Sequence, residues 1–169
     1  SRLQCVLFGD GRQHFDQQTL QDHVGRNTAS DLLMKAALKG ESRSVFMGLI
    51  RIQGEARGSN AFQTARNLLL GEKAKADAIP SLEILANDVK CKHAAAVGQV
   101  DESQLFYLMS RGLNREEAQR MIVLGFFGVL ALGLTTALAL FAVIAALGLI
   151  AAAAVRREVR RALVRIEER

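Results

Sequence analysis

The stretch SLEILANDVKCKHAAAVGQVDESQLFYLMSR, residues 81–111, changes character partway along. Its first part reads as extended chain. Leu82-Glu83-Ile84-Leu85 stops near Asn87-Asp88, and a second run then carries Cys91 and His93. Alternate residues of a strand share a face, so Val89, Cys91 and His93 point one way while Lys90 and Lys92 point the other. After Gly98, Asp101 or Ser103 is placed to cap a helix with Leu105, Leu108 and Met109 along one side. Gly112 ends that helix, and Asn114 with Glu116 and Glu117 starts the next. A β-region over 1–100 therefore hands over to a helical region over 101–169.

Upstream, the same alternation of apolar run and turn recurs. Cys5-Val6-Leu7-Phe8 ends at Gly9-Asp10-Gly11, a strong turn signal. Ser44 to Ile52 is β-branched and apolar and stops at Gln53-Gly54, and Asn67-Leu68-Leu69-Leu70 stops at Gly71. Gly25, Gly40, Gly48, Gly54 and Gly58 suit turns or close backbone approaches. Many short strands without intervening helices predict an all-β body. A coil-stacking solenoid and a sandwich both fit, since the spacing of the runs is irregular. Thr28 to Leu38 is the exception: Leu32, Leu33, Ala36 and Ala37 have helix-like spacing and predict a turn or short helix.

From Met121 to Val155 run 35 residues without one charge. As a single helix they extend about 52 Å, against about 30 Å of bilayer hydrocarbon. Arg156, Arg157, Arg160 and Arg161 follow at once, as an interfacial anchor would. A membrane segment and an Ala-rich helix pair buried in an oligomer both account for 121–155.

Composition narrows the class of function. The net charge of +5 is spread over the chain, and no aromatic residues interleave with the basic ones, so nucleic-acid binding is not expected. Cys5 and Cys91 are far apart, which is no disulfide framework and fits a reducing compartment. No secretory signal pattern opens the sequence. The expected location is cytoplasmic, with membrane association left open through 121–155. No Gly-rich phosphate loop, nucleophile elbow or defensible carboxylate pair occurs, so catalysis is not expected.

Cys91 and His93 are the candidate metal or cluster ligands. A thiolate and an imidazole both suit iron–sulfur species. Same-face neighbours on a strand lie about 7 Å apart, which matches a multi-atom cluster better than one small ion. Two ligands leave a site open, so the rest would come from another chain. A buried structural cysteine is the plainer reading of the same residues. His14 and His23, beside Asp16 and Asp22, are expected to bridge neighbouring segments rather than to bind metal.

The ordered words of the sequence resemble the SufB/SufD family of iron–sulfur cluster assembly scaffolds, and the SufD branch most. They include Thr19 to His23, Lys39-Gly40, Val45-Phe46-Met47-Gly48, Pro80 to Ile84, Asp88 to His93, and Leu105-Phe106-Tyr107-Leu108 with Arg111-Gly112. The resemblance covers about residues 1–128 and only the C-terminal third of the family's longer chains. It implies a right-handed parallel β-helix followed by a C-terminal α-helical region. It further implies a non-catalytic scaffold subunit working with a SufB-like paralogue and a SufC-like ABC ATPase, a homodimer being a further option. A transient iron–sulfur cluster would be built at the junction of two β-helices, with His93 and its neighbour Cys91 as ligands. The helical segment around Leu105, Phe106, Tyr107, Leu108, Arg111 and Gly112 would dock the ATPase. Two features depart from the family: Ala94 stands where the family word continues with glycine, which is expected to alter a turn, and the chain turns wholly apolar after Phe127. A membrane-anchored β-solenoid without cluster chemistry is the alternative function.

Overall fold

A computed structural model of the chain describes residues 1–128. Seven strands alternate between two sheets: β1 (Arg2–Gly9), β2 (His14–His23), β3 (Ala29–Leu38), β4 (Arg43–Ile52), β5 (Asn60–Leu69), β6 (Lys75–Ile84) and β7 (Lys90–Gln99). The odd strands pair in parallel as β1-β3-β5-β7 and the even ones as β2-β4-β6. Consecutive strands thus lie in opposite sheets, and each pairs with the strand two further along. This is a parallel β-solenoid, not a sandwich of hairpins. Helix α1 (Glu102–Ser110) follows, and then α2 over 115–128.

The registers reveal a repeat that strand spacing conceals. Arg2 pairs with Asp31, Ala29 with Asn60 and Asn60 with Lys90, offsets of 29, 31 and 30 residues in one sheet. In the other sheet His14 pairs with Arg43 and Arg43 with Lys75, offsets of 29 and 32. One coil is therefore about thirty residues, and the turns absorb the variation. Asn27, Gly58 and Asp88 occupy successive copies of one turn, and all three have left-handed backbones (φ of 56°, 74° and 59°). Asn and Asp tolerate that conformation better than other residues bearing a Cβ, and Gly needs no compensation. Hydrogen bonds tie the copies together, Asn27 N–H to the Arg57 carbonyl and Gly58 N–H to the Asp88 carbonyl, both 2.9 Å.

Period-two alternation sets the core. On β4, Ser44, Phe46, Gly48, Ile50 and Ile52 point inward, with Phe46 and both isoleucines fully buried. They face β5, whose small inward residues Ala61 and Ala65 join the clusters around Ile50 and Ile52 and around Phe46 respectively. Large side chains on one sheet fill the room left by small ones on the other, as close packing requires.

The helix expected between Thr28 and Leu38 is instead strand β3. Its last four residues are buried on both faces, because Ala36 and Leu38 point into the coil while Lys35 and Ala37 lie on the outer face. Lys35 there donates to the Phe126 carbonyl of α2 at 2.6 Å. Burial on two faces erases alternation and imitates helical spacing. β2 lacks an apolar alternation because, beyond Phe15, its inward positions are polar: Gln17, Thr19, Gln21 and His23.

Both helix starts follow the sequence reading. The Asp101 side chain accepts from Ser103 N–H at 2.8 Å, capping α1. Asn114 and Glu117 form a reciprocal capping box, each side chain accepting from the other's backbone N–H at 2.9 Å. Leu105 is the buried residue of α1, whereas Met109, expected beside it, is exposed. Among the described residues no helix is long and apolar enough to cross a membrane. The apolar stretch read over 121–155 lies, beyond residue 128, outside the described residues.

Candidate functional site

Cys91 and His93 lie on β7, the last strand of the four-stranded sheet. The turn with left-handed Asp88 launches this strand, and Lys90 N–H bonds the Ser59 carbonyl at 2.9 Å, locking its register. Cys91 pairs with Ala61 and His93 with Gln63, both of them inward-facing and 1% exposed. The two candidate ligands therefore occupy the inward face of the solenoid, in columns whose lower members are core.

No described strand stacks above β7 or β6, so among the described residues the coil is uncovered at this end. Cys91 is half-buried, packing with Val89 against the cluster of Ile50, Ile52, Ala56, Ala61 and Ala86. His93, one step along the strand, is exposed. Burial pushes the Cys91 thiol above its ordinary range. At neutral pH the sulfur is protonated, and a metal ion bound there must displace the proton. Among the described residues no three His, Cys, Asp or Glu side chains converge as a metal site. A thiol and an imidazole at an open rung make a two-point attachment whose remaining coordination must come from elsewhere.

Around the pair, the open end is apolar. Leu82 and Ile84 of β6 continue the columns of Ile50 and Ile52, yet they are 38% and 44% exposed. The backbone edges of β6 and β7, unpaired among the described residues, flank this surface. Such an edge is a template for pairing with another chain.

The other sequence candidates separate. Leu105 holds α1 down, while Phe106 and Tyr107 are 73% and 57% exposed, and the Arg111 guanidinium lies 5.3 Å from the Tyr107 ring centre. Leu108 is half-buried, and Gly112 takes a left-handed backbone (φ 96°) that ends the helix turn. Arg115 bonds Glu102 at 2.6 Å, linking the starts of α1 and α2 and holding the Glu102 carboxyl below its ordinary range. Ala94, expected in a turn, sits within β7 opposite Thr64 and leaves the turn chemistry untouched.

His23 is buried, with Nδ1 2.6 Å from Thr28 Oγ1 and Nε2 2.7 Å from Ser30 Oγ. It ties β2 to the next turn and to β3, as a structural bridge. Asp22 faces outward instead and accepts from Gln53 at 3.1 Å, because sequence neighbours on a strand point to opposite faces. Gln63 and Gly48, absent from the sequence-derived candidates, lie directly beneath His93's position and across from it. Their one sequence signal is a polar residue and a glycine at core-facing strand positions.

The profile of the SufBD core domain of the SUF system for FeS cluster assembly matches residues 1–126. An iron–sulfur cluster assembly SufBD family protein of Mycobacterium leprae is 39% identical over 136 residues, covering 76% of this chain and 35% of the relative. The iron–sulfur cluster assembly protein SufD of Bacillus subtilis is 42% identical over 121 residues, covering 72% of this chain and 28% of the relative. SufD of Escherichia coli is 42% identical over 111 residues, covering 66% and 26%. The chain thus spans about a quarter to a third of the length of these relatives.

Proposed function

Because the chain belongs to the SufBD family of iron–sulfur cluster assembly proteins, we propose that it is a scaffold subunit on which a nascent cluster is held and passed on. The observation that carries the reading is the placement of Cys91 and His93 side by side on the inward face of the uncovered rung. A thiol and an imidazole supply the donor types that iron–sulfur species use. Two donors from one chain hold a cluster weakly, as suits cargo that must leave.

A SufB-like paralogue completes the coordination sphere by docking on the open end. The bare edges of β6 and β7 and the half-exposed Leu82 and Ile84 give a relative both backbone pairing and apolar area. Phe106 and Tyr107 on α1 offer a second apolar contact, proposed for the SufC-like ATPase. The chain's own part is to hold and position: it supplies ligands and rigid geometry, and no acid–base pair.

Anaerobic reconstitution of the assembled complex with iron and sulfide tests this. Wild type is expected to develop a visible charge-transfer band that His93→Ala reduces several-fold. Equal cluster yield from His93→Ala removes the ligand assignment. The alternative, a membrane-anchored solenoid without cluster chemistry, draws on the 35 uncharged residues from Met121 to Val155. It predicts a chain that partitions with membranes after carbonate washing and yields no band.

A further inference from the structure

Gln63 lies one coil below His93 as its register partner on β5, and its side chain is 1% exposed. Its amide Nε2 donates to the Gly48 carbonyl of the opposite sheet at 3.3 Å. Its carbonyl Oε1 is buried and has no partner. Buried acceptors are nearly always satisfied, and leaving one bare is costly. The arrangement is built rather than incidental, because Gly48 makes room for it: a Cβ at that position would lie 2.2 Å from Gln63 Nε2.

Inward side chains of a parallel solenoid stack column on column, with strands about 4.8 Å apart. The next side chain up from Gln63 is therefore the His93 imidazole. We propose that Gln63 is the positioning residue for His93: the structure makes no bond between the two, and the unpartnered Oε1 is the acceptor that a His93 ring N–H would take on turning over it. That bond fixes the tautomer and ring orientation and leaves the second nitrogen's lone pair free toward the open end. Metal-binding histidines use their far nitrogen in this way. The importance of the bond for cluster binding rests on the ligand reading above, but the bond itself is measurable without any metal.

The competing donor to Gln63 Oε1 is Thr19, whose Oγ1 is also buried and unpartnered, on β2 in the column of Gly48. Ring nitrogen spectra of the metal-free 169-residue chain at pH 8 distinguish the two. With three histidines in the sequence, His93→Ala assigns the signal. Wild type is expected to show one dominant His93 tautomer. Gln63→Met should shift the tautomer ratio roughly fivefold toward that of free imidazole, the size of one ordinary hydrogen bond. Thr19→Val should leave the wild-type ratio unchanged. Unaltered His23 signals certify the fold of each variant. An even tautomer mixture in wild type, or a ratio that follows Thr19→Val and not Gln63→Met, overturns the assignment. Reconstitution separates this result from the ligand reading: a cluster band lost in His93→Ala alongside an unmoved tautomer removes Gln63's role and leaves His93's.

Discussion

The middle coil and the last coil are built on the same columns yet have opposite fates. Ile50 and Ile52 are wholly buried, whereas Leu82 and Ile84 directly above them are half-exposed. Gln63 is sealed inside, whereas His93 in the same column faces solvent. Residue type changes little between the two; what differs is whether another coil sits on top. In a solenoid each coil contacts only its neighbours, so an uncovered coil keeps its geometry but leaves its inward residues available. Stability therefore resides in the middle of the stack and accessible inward side chains at its end.

The sharpest way to break that division is to truncate matching positions. Phe46→Ala, in the closed coil, is expected to lower unfolding free energy by about 3–5 kcal/mol. His93→Ala, on the open coil, should change it by no more than about 0.5 kcal/mol. Urea titrations of both variants provide the comparison, and comparable losses would show that the last coil is no less closed than the middle one.

Turns sharpen the contrast further. Gly58 has a left-handed backbone, and an added Cβ would lie 2.2 Å from Asn27 Oδ1. Gly58→Ala should cost about 1–2 kcal/mol. At Gly71 nothing lies within 4 Å of an added Cβ and the backbone is not left-handed, so Gly71→Ala should be neutral or slightly stabilising. Equal effects in thermal melting would deny that the Asn27-Gly58-Asp88 column is a structural constraint.

The smallest effect concerns pH. Burial holds the His23 imidazole below its ordinary value. Its folded pKa is thus lower than its unfolded pKa of about 6.5, and protonation favours the unfolded chain. The stability tied to neutral His23 is complete above that unfolded value and is lost as pH falls through the folded one. Melting temperatures at pH 7.5 and pH 5.5 should diverge in wild type and converge in His23→Gln. A difference that persists in His23→Gln assigns the pH response to another group.

The sequence exposed those strands whose apolar alternation survives, such as β4, and both helix caps. It hid β2, where polar residues fill the inward positions, and disguised β3, where α2 covers the outer face and removes the alternation. The thirty-residue repeat was invisible to spacing because turns of unequal length shift the strand starts, while the conformations that repeat use three residue types, Asn27, Gly58 and Asp88. For the candidate site, Cys91 and His93 were legible as a same-face pair. Their openness was not, because it depends on what fails to stack above them. Gln63 escaped notice because its meaning comes from a register partner thirty residues away.

The left-handed turn column also makes the molecule a ruler. Each additional thirty-residue coil inserted between Asn27 and Asp88 would translate Cys91 and His93 by about 4.8 Å along the axis. Their direction would change only by the small twist between adjacent coils. Losing a single residue from a strand would instead reverse which side chains face inward beyond that point. Length could therefore change in whole units while Cys91 and His93 stay aligned, whereas a single-residue insertion would be tolerated at a corner rather than within a strand.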